Sequence, residues 1–449
     1  MLSIYNHSIK SITHLTLNLS RVNTSTIFAS ISKKMKTLIQ TLTIALFTAS
    51  TAISSAQSIR DTVKKEPVNT TTAEKKSEWY QKISLRGYVQ ARYNRLLETN
   101  GQVRNEQGDR SIGSNGGLFL RRVRVILSGQ VHKKVYFYIQ PDFASSASSD
   151  NLHFGQLRDA YFDLGIDNDN EFRFRVGQSK VPFGFENMQS SQNRLPLDRN
   201  DGLNSALSNE RDLGVFFYWA PKETRELFAT LVSSGLKGSG DYGVFAFGAF
   251  NGQTANKPEA NNTPHIVSRL TYPVKIGKKQ IIEPGIQAYS GKYVVTSLTT
   301  GVVSKTKNEF KDQRVAATFV LYPQPFGIQA EYNWGTGPEF VSNGANGKGQ
   351  IAQRHLEGGY VTASYLTKAG NQILIPFTRY HYYDGGKKHE IDARSYNVRE
   401  LELGLEWQPH KNFELVTEYT LTKRKFEDAA KPINWQKGNL LRIQAQLNF

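Results

Sequence analysis

Apolar and polar residues alternate one by one along most of this chain beyond residue 80. In KISLRGYVQARY, Ile83, Leu85, Val89, Ala91 and Tyr93 stand against Arg86, Tyr88, Gln90 and Arg92. FGIQAEYNW sets Phe326, Ile328, Ala330, Tyr332 and Trp334 against Gln329, Glu331 and Asn333. LELGLEWQPHKNFELVTEYTL repeats the pattern twice around a tight Pro-His-Lys-Asn turn. The closing LLRIQAQLNF interleaves Leu441, Ile443, Ala445, Leu447 and Phe449 with Arg442, Gln444, Gln446 and Asn448. A period of two marks a strand with one apolar and one polar face. Sixteen such stretches can be placed between residues 81 and 449.

The connections between them alternate short and long. The turns at 409–412 and TKAGN are tight, whereas 335–353, DGGKKHEIDARSYN and 423–439 are polar and read as long loops. Short turns at one end and long loops at the other predict an all-β fold, a transmembrane antiparallel β-barrel of 16 strands with short periplasmic turns and long outer loops. A soluble β-sandwich also alternates, but with shorter strands and without repeated aromatic residues at strand ends. An even strand count puts both barrel ends on the periplasmic side. ELFATLVSS at 226–234 reads either as a seventeenth strand segment or, by parity, as part of a bulky periplasmic turn.

Composition agrees with a barrel. The 449 residues include 36 Gly, 21 Tyr and 25 Phe and no Cys, which excludes a disulfide scaffold and a thiolate metal site. No long apolar run follows residue 56, so helical membrane spans, which need ~20 apolar residues each, are not expected. Ahead of the barrel, KKMK precedes LIQTLTIALFTAS, and Ser54 and Ala56 sit at −3 and −1 before Gln57. This is the layout of a secretory signal peptide rather than a membrane anchor. Residues 1–56 are therefore expected to be a leader, with translation starting at Met35 and cleavage after Ala56. They carry five basic residues and no acid, so their removal takes the net charge from +17 to +12. Residues 57–80 read as a polar periplasmic linker, and 81–449 as the outer-membrane barrel.

LFLRRVRVILSGQVHKKVYFYIQPDFA, LRDAYFDLG, FRFRVGQSKVPFGFENMQSS, ERDLGVFF and GAFNG resemble, in order and spacing, the phosphate-selective porin O and porin P family. GQSKVPFGFE is the most characteristic piece, and the likeness runs over roughly residues 80–449. The resemblance implies a trimeric sixteen-stranded channel in the bacterial outer membrane with a pore lined by basic residues. It does not carry over which anion passes.

The residues themselves suggest an anion path. With the apolar partners facing lipid, Arg86, Arg92, Arg122, Arg124, Arg173 and Arg175 face the lumen and form a candidate pore wall. Charges on the lipid face near the midplane would cost ~2–4 kcal/mol, and rings of Arg or Lys are a device of anion pores. The competing reading is that these arginines are ordinary lumen charges paired with Asp142, Asp159 and Asp163. The loop 179–210 is the third outer loop and is expected to insert as a constriction bearing Lys180, Arg194 and Arg199, with Arg211 just beyond; a surface loop is the alternative.

Enzyme readings fail on context. GSGDYG is followed by the strand-like VFAFGAF, not a helix, and HEIDA lacks the second histidine of a zinc protease. No Ser–His pair suggests a phospholipase. The basic residues alternate inside strands, which argues against a nucleic-acid surface. No cofactor, metal or catalytic residue is expected. The expected partners are small anions such as phosphate, outer-membrane lipid, the outer-membrane assembly machinery acting through the C-terminal strand, and two further copies in a homotrimer. An adhesion or structural barrel and a non-selective diffusion porin remain the alternatives.

Overall fold

The computed structural model describes residues 78–103, 112–113, 115–143, 153–277, 279–304, 306–343, 349–431 and 434–449. The leader and nearly all of the linker lie outside the described residues. From a short 3₁₀ turn at Trp79–Lys82, the chain enters a strand meander. Its strands are β1 (Ile83–Leu96), β2 (Gly117–His132), β3 (Val135–Asp142), β4 (Gln156–Gly165), β5 (Phe172–Lys180), β6 (Arg211–Trp219) and β7 (Phe245–Phe250). They continue as β8 (His265–Thr271, resuming at Val274–Ile276), β9 (Gln280–Val294), β10 (Glu309–Leu321), β11 (Phe326–Ser342) and β12 (Gly349–Tyr365, resuming at Thr367–Ala369). The last four are β13 (Gln372–Gly386), β14 (Ser395–His410), β15 (Phe413–Glu427) and β16 (Asn434–Asn448). All sixteen expected strands are present.

Each strand pairs antiparallel with the next, and β1 pairs with β16, so the sheet closes into a barrel. Closure removes the edges whose unpaired N–H and C=O groups would each cost several kcal/mol in lipid. It reaches the last residue: the Gly87 N–H donates to the Phe449 carbonyl at 2.8 Å, and the Phe449 N–H donates to the Gly87 carbonyl at 3.0 Å. Gly87 is required here. A Cβ on it would lie 2.6 Å from the Phe449 ring and would also meet the Arg124 carbonyl.

The two faces sort as the alternation dictates. Leu85, Leu403, Leu405, Trp407 and Leu447 are exposed on the outside, whereas Gln90, Arg92, Glu402, Glu406, Arg442 and Gln446 are buried inside. Turns at the lower rim, where β1 begins and β16 ends, are short except for 220–244. That connection contains a helix, α3 (Lys222–Ser233), so ELFATLVSS belongs to a turn and not to a strand.

The upper rim differs from the sequence expectation. The segments 335–353, 384–397 and 423–439 are not long loops: β11 and β12 pair out to Ser342↔Gly349, β13 and β14 to Gly386↔Ser395, and β15 and β16 to Phe426↔Asn434. Strands here run on past the apolar band, where their outer faces no longer need to be greasy. Hydrogen bonding continues after the alternation fades.

The interior is filled from both ends. The connection 181–210 turns inward from the upper rim and carries two short helices, α1 (Phe185–Met188) and α2 (Asp201–Ala206), every residue of which is buried. Phe183, Leu203 and Ala206 join an apolar cluster with Phe216, Phe250 and Tyr289 of the wall. From the lower rim, α3 packs Phe228 and Leu231 against Val244, Ile281, Val320, Tyr322 and Phe185.

Candidate functional site

Inserting a polar loop into a barrel leaves its backbone groups to be satisfied by the wall. Glu331 on β11 accepts the Phe185 N–H at 2.8 Å, and Glu418 on β15 accepts the Leu197 N–H at 2.9 Å. Arg314 on β10 donates to the Ser205 Oγ at 2.6 Å and the Ser205 carbonyl at 3.0 Å. Arg379 on β13 bridges Glu186 of the loop at 2.8 Å and Glu402 of β14 at 2.7 Å. These contacts fix the loop to β10, β11, β13 and β15, and the space that remains is lined by β1 to β6.

That space is a cavity of about 460 Å³. Its lining contains seven basic residues, including Arg86, Arg173, Arg175, Lys180 and Arg211, against three acids, Asp159, Asp163 and Asp241. Five of the ten sequence-predicted site residues thus meet around one cavity. Most are paired. Arg175 makes a two-pronged contact with Asp163 at 2.7 and 2.9 Å, from directly opposite register positions on β4 and β5. Arg173 reaches Asp241 at 2.7 Å, and Arg211 reaches Asp159 at 2.9 Å and also Glu210. The Lys180 ammonium donates to the Met188 and Gln189 carbonyls at 3.1 and 2.5 Å. Arg86 differs: it is exposed, forms no ion pair with any described residue, and lies 5.9 Å over the Tyr138 ring.

The other five lie elsewhere. Arg92 is buried between wall and loop, bonding Asp198 at 3.0 Å, Gln444 and the Leu197 carbonyl. Arg124 holds Asp142 at 2.8 Å, the Tyr88 hydroxyl at 2.7 Å and the Ser191 hydroxyl at 3.0 Å. Arg122 donates to the Gln90 side chain at 2.9 Å. Arg199 ties the loop to itself through the Leu207 and Ser208 carbonyls and Glu210. Arg194 is 5 % exposed, and its Nε and Nη1 have no hydrogen-bond partner among the described residues.

Burial alone would raise the Glu210 carboxyl, but Arg199, Arg211 and Lys180 around it hold it well below the usual carboxylate range. Asp241, in the 220–244 connection, is likewise opposed by burial, yet Arg173 and Arg225 keep it at about 2. These acids are therefore charged counter-ions at neutral pH.

Several lumen groups escape a reading of the sequence. Arg158, 3.8 Å from Asp142 and 3.9 Å from Glu210, sits where the β3–β4 register slips, so it turns inward beside Asp159 against strict alternation. Asp241 and Lys237 come from the 220–244 connection, which folds up into the lumen. Lys237 pairs with Glu406 at 2.5 Å, and its carbonyl accepts from Gln189 of the upper loop at 2.6 Å. Asp201, His381 and Glu400 converge closely enough to suggest a metal site. Lys387 lies 2.5 Å from Asp201, and Arg424 pairs with Glu400, so resident cations already balance this group, which anchors the loop.

Residues 97–449 match the phosphate-selective porin O and P family. The chain belongs to that family. It is an outer-membrane channel protein. Comparison with curated protein sequences gives no match. Among solved structures, the porin is similar to OmpF of Salmonella typhi in complex with daunomycin, with 12% identity, 82% of this chain and 97% of that chain covered, and a TM-score of 0.51. It is also similar to the outer membrane channel DcaP of Acinetobacter baumannii, at 14% identity, 82% and 97% coverage and a TM-score of 0.50. At such identities the likeness speaks for the fold. An anion-selective porin from Comamonas acidovorans aligns at 11% identity, 82% and 99% coverage and a TM-score of 0.48.

Proposed function

We propose that this porin gives passive, anion-preferring diffusion to small solutes, phosphate and related oxyanions among them, and has no catalytic role. The observation that supports this most is the cavity's charge, seven basic residues against three acidic, with Arg86 unpaired by any described carboxylate. A unit charge ~4 Å from an ion is worth ~1 kcal/mol in bulk water and ~4 kcal/mol at an effective dielectric of 20, and a narrow lumen lies between these limits. The surplus favours anions and disfavours cations over the whole cavity. Ion pairs such as Arg175–Asp163 add local dipoles without adding net charge. The inserted segment 179–210 acts as the constriction, with Lys180 and Arg211 at the cavity and Arg194 and Arg199 within the loop. Signal removal after Ala56, insertion through the C-terminal strand and assembly as a homotrimer belong to the same proposal.

The test is the reversal potential of the purified porin in planar bilayers under a potassium chloride gradient. Anion selectivity is the expected result; cation selectivity would overturn it. A second reading, a mainly structural or adhesive barrel, draws on the filling of the lumen from both rims. Absence of conductance in folded, inserted protein would favour it.

A further inference from the structure

The cavity wall carries more than charge. Tyr138 of β3 and Tyr161 of β4 occupy opposite register positions, and their rings stack with centroids 5.2 Å apart and planes 10° apart. Arg175 covers the far side of this pair, 3.9 Å from the Tyr161 ring, and Arg86 lies over Tyr138. With their faces occupied, these rings have their hydroxyl-bearing edges left for the lumen. Tyr136 and Tyr242 line the same space. None of the four phenolic hydroxyls makes a hydrogen bond to another described residue. Other lumen tyrosine hydroxyls are used: Tyr88 bonds Ser191 at 2.6 Å, Tyr289 bonds Asp312 at 3.0 Å, and Tyr383 donates to the Gly386 carbonyl at 2.6 Å, although the buried Tyr218 hydroxyl has no partner among the described residues.

A phenolic hydroxyl donates one hydrogen bond and accepts others, so it matches an alcohol group, which does both. An inorganic oxyanion at neutral pH mainly accepts, and arginine alone serves it. The volume points the same way: about 460 Å³ falls within the ~300–1,000 Å³ of small-molecule sites and is several times the size of a single tetrahedral oxyanion. We infer that this cavity is a binding site for hydroxyl-rich organic anions, sugar acids or sugar phosphates. The Tyr136, Tyr138, Tyr161 and Tyr242 hydroxyls pair with the alcohol groups, and Arg86 holds the anionic group. This deepens the anion-channel reading and rests on it: the tyrosines choose among anions after the charge has chosen anions over cations.

The test titrates glucuronate, glucose 6-phosphate, inorganic phosphate and glucose against the chloride current of the full-length porin in planar bilayers. Isothermal calorimetry on the solubilised protein gives the same ranking independently of conductance. Glucuronate and glucose 6-phosphate should act at concentrations at least about tenfold below both phosphate and glucose, as expected for a few added hydrogen bonds. The two sugar anions differ only in their charged group, so a gap between them reports which source the site prefers. The double variant Tyr138→Phe/Tyr161→Phe keeps the ring stack and should abolish the advantage over phosphate, while the reversal potential in potassium chloride stays unchanged. Phosphate acting as strongly as the sugar anions, or a double variant that retains the advantage, would overturn the inference. A cation-selective wild type in plain potassium chloride would instead overturn the anion-channel reading itself.

Discussion

Substituting Arg86 should change ion selectivity more than removing the Arg175–Asp163 pair, although two charges are deleted in the second case. An anion ~4 Å from Arg86 gains ~1 kcal/mol in water, a roughly fivefold change in occupancy. An anion at the same distance from Arg175 also feels Asp163, whose carboxylate lies 2.7 Å from the guanidinium. With that carboxylate ~6.7 Å from the anion on the far side, repulsion returns ~0.6 kcal/mol and leaves ~0.4 kcal/mol, about twofold. A cation at the same place feels the opposite sign, so Arg86→Gln should lower the chloride-to-potassium permeability ratio roughly 25-fold, and Arg175→Gln/Asp163→Asn roughly fourfold. The assay is the reversal potential across a bilayer near 0.1 M salt, where the Debye length is ~10 Å, repeated near 1 M, where it is ~3 Å. Both effects should shrink at the higher salt. If the double variant loses as much selectivity as Arg86→Gln, or if Arg86→Gln leaves selectivity untouched, the division into unpaired and neutralised arginines is wrong.

Arg379→Met leaves the buried Glu186 and Glu402 without their shared cation. It should cost ~3–5 kcal/mol, expose the 181–210 loop to protease and raise single-channel conductance. Gly87→Ala places a methyl against the Phe449 ring and should destabilise the closed barrel by ~1–3 kcal/mol in urea unfolding from vesicles. Because Asp241 has its pKa depressed to about 2, its contribution to docking of the 220–244 connection is fully present above its unfolded value near ~3.9. That contribution is lost as the pH falls through about 2. Conductance should accordingly show no change from this link between pH 7 and pH 5, while Asp241→Asn at pH 7 should reproduce the release. The mature protein should begin near Gln57, as read by N-terminal sequencing of the outer-membrane fraction.

The membrane-embedded part of the fold was legible because lipid imposes a rule on every second residue. Leu401, Leu403 and Leu405 must face outward, so Glu402 and Glu406 must face inward, and the wall arginines follow by the same parity. The rule lapses above the bilayer. There Lys423, Arg424 and Lys425 read as loop yet pair with Lys437, Gln436 and Trp435 on β16. It also lapses at bulges, which is why Arg158 was missed. Within the 220–244 connection, Leu227, Phe228, Leu231 and Val232 recur at helical spacing, a signal that decided neither between strand and turn nor how deep the segment enters. Pairings between register neighbours, Arg124–Asp142 and Arg175–Asp163, could be weighed from sequence because both partners sit on consecutive strands. Arg379–Glu186 and Lys237–Glu406 could not, since they join distant segments that meet only after the loops fold inward.

That contrast bears on why the lumen is so densely paired. A charge facing a wide, water-filled pore needs no partner, but the inserted segments displace water from most of the wall, where an isolated ion costs several kcal/mol. Carboxylates accordingly accompany arginines that the inserted segments cover: Glu186 and Glu402 beside Arg379 and Glu418 and Asp198 beside Arg442 under the loop, and Glu283 beside Arg269, which also bonds the Gly243 carbonyl of the 220–244 connection. Arg86 stands on the part of the wall that the loop leaves open and remains solvated, so its charge needs no partner to be stable. The loop therefore does two things with one fold. It narrows the passage, and by deciding which basic residues must be neutralised it leaves the uncompensated charge along the cavity, where a solute can reach it.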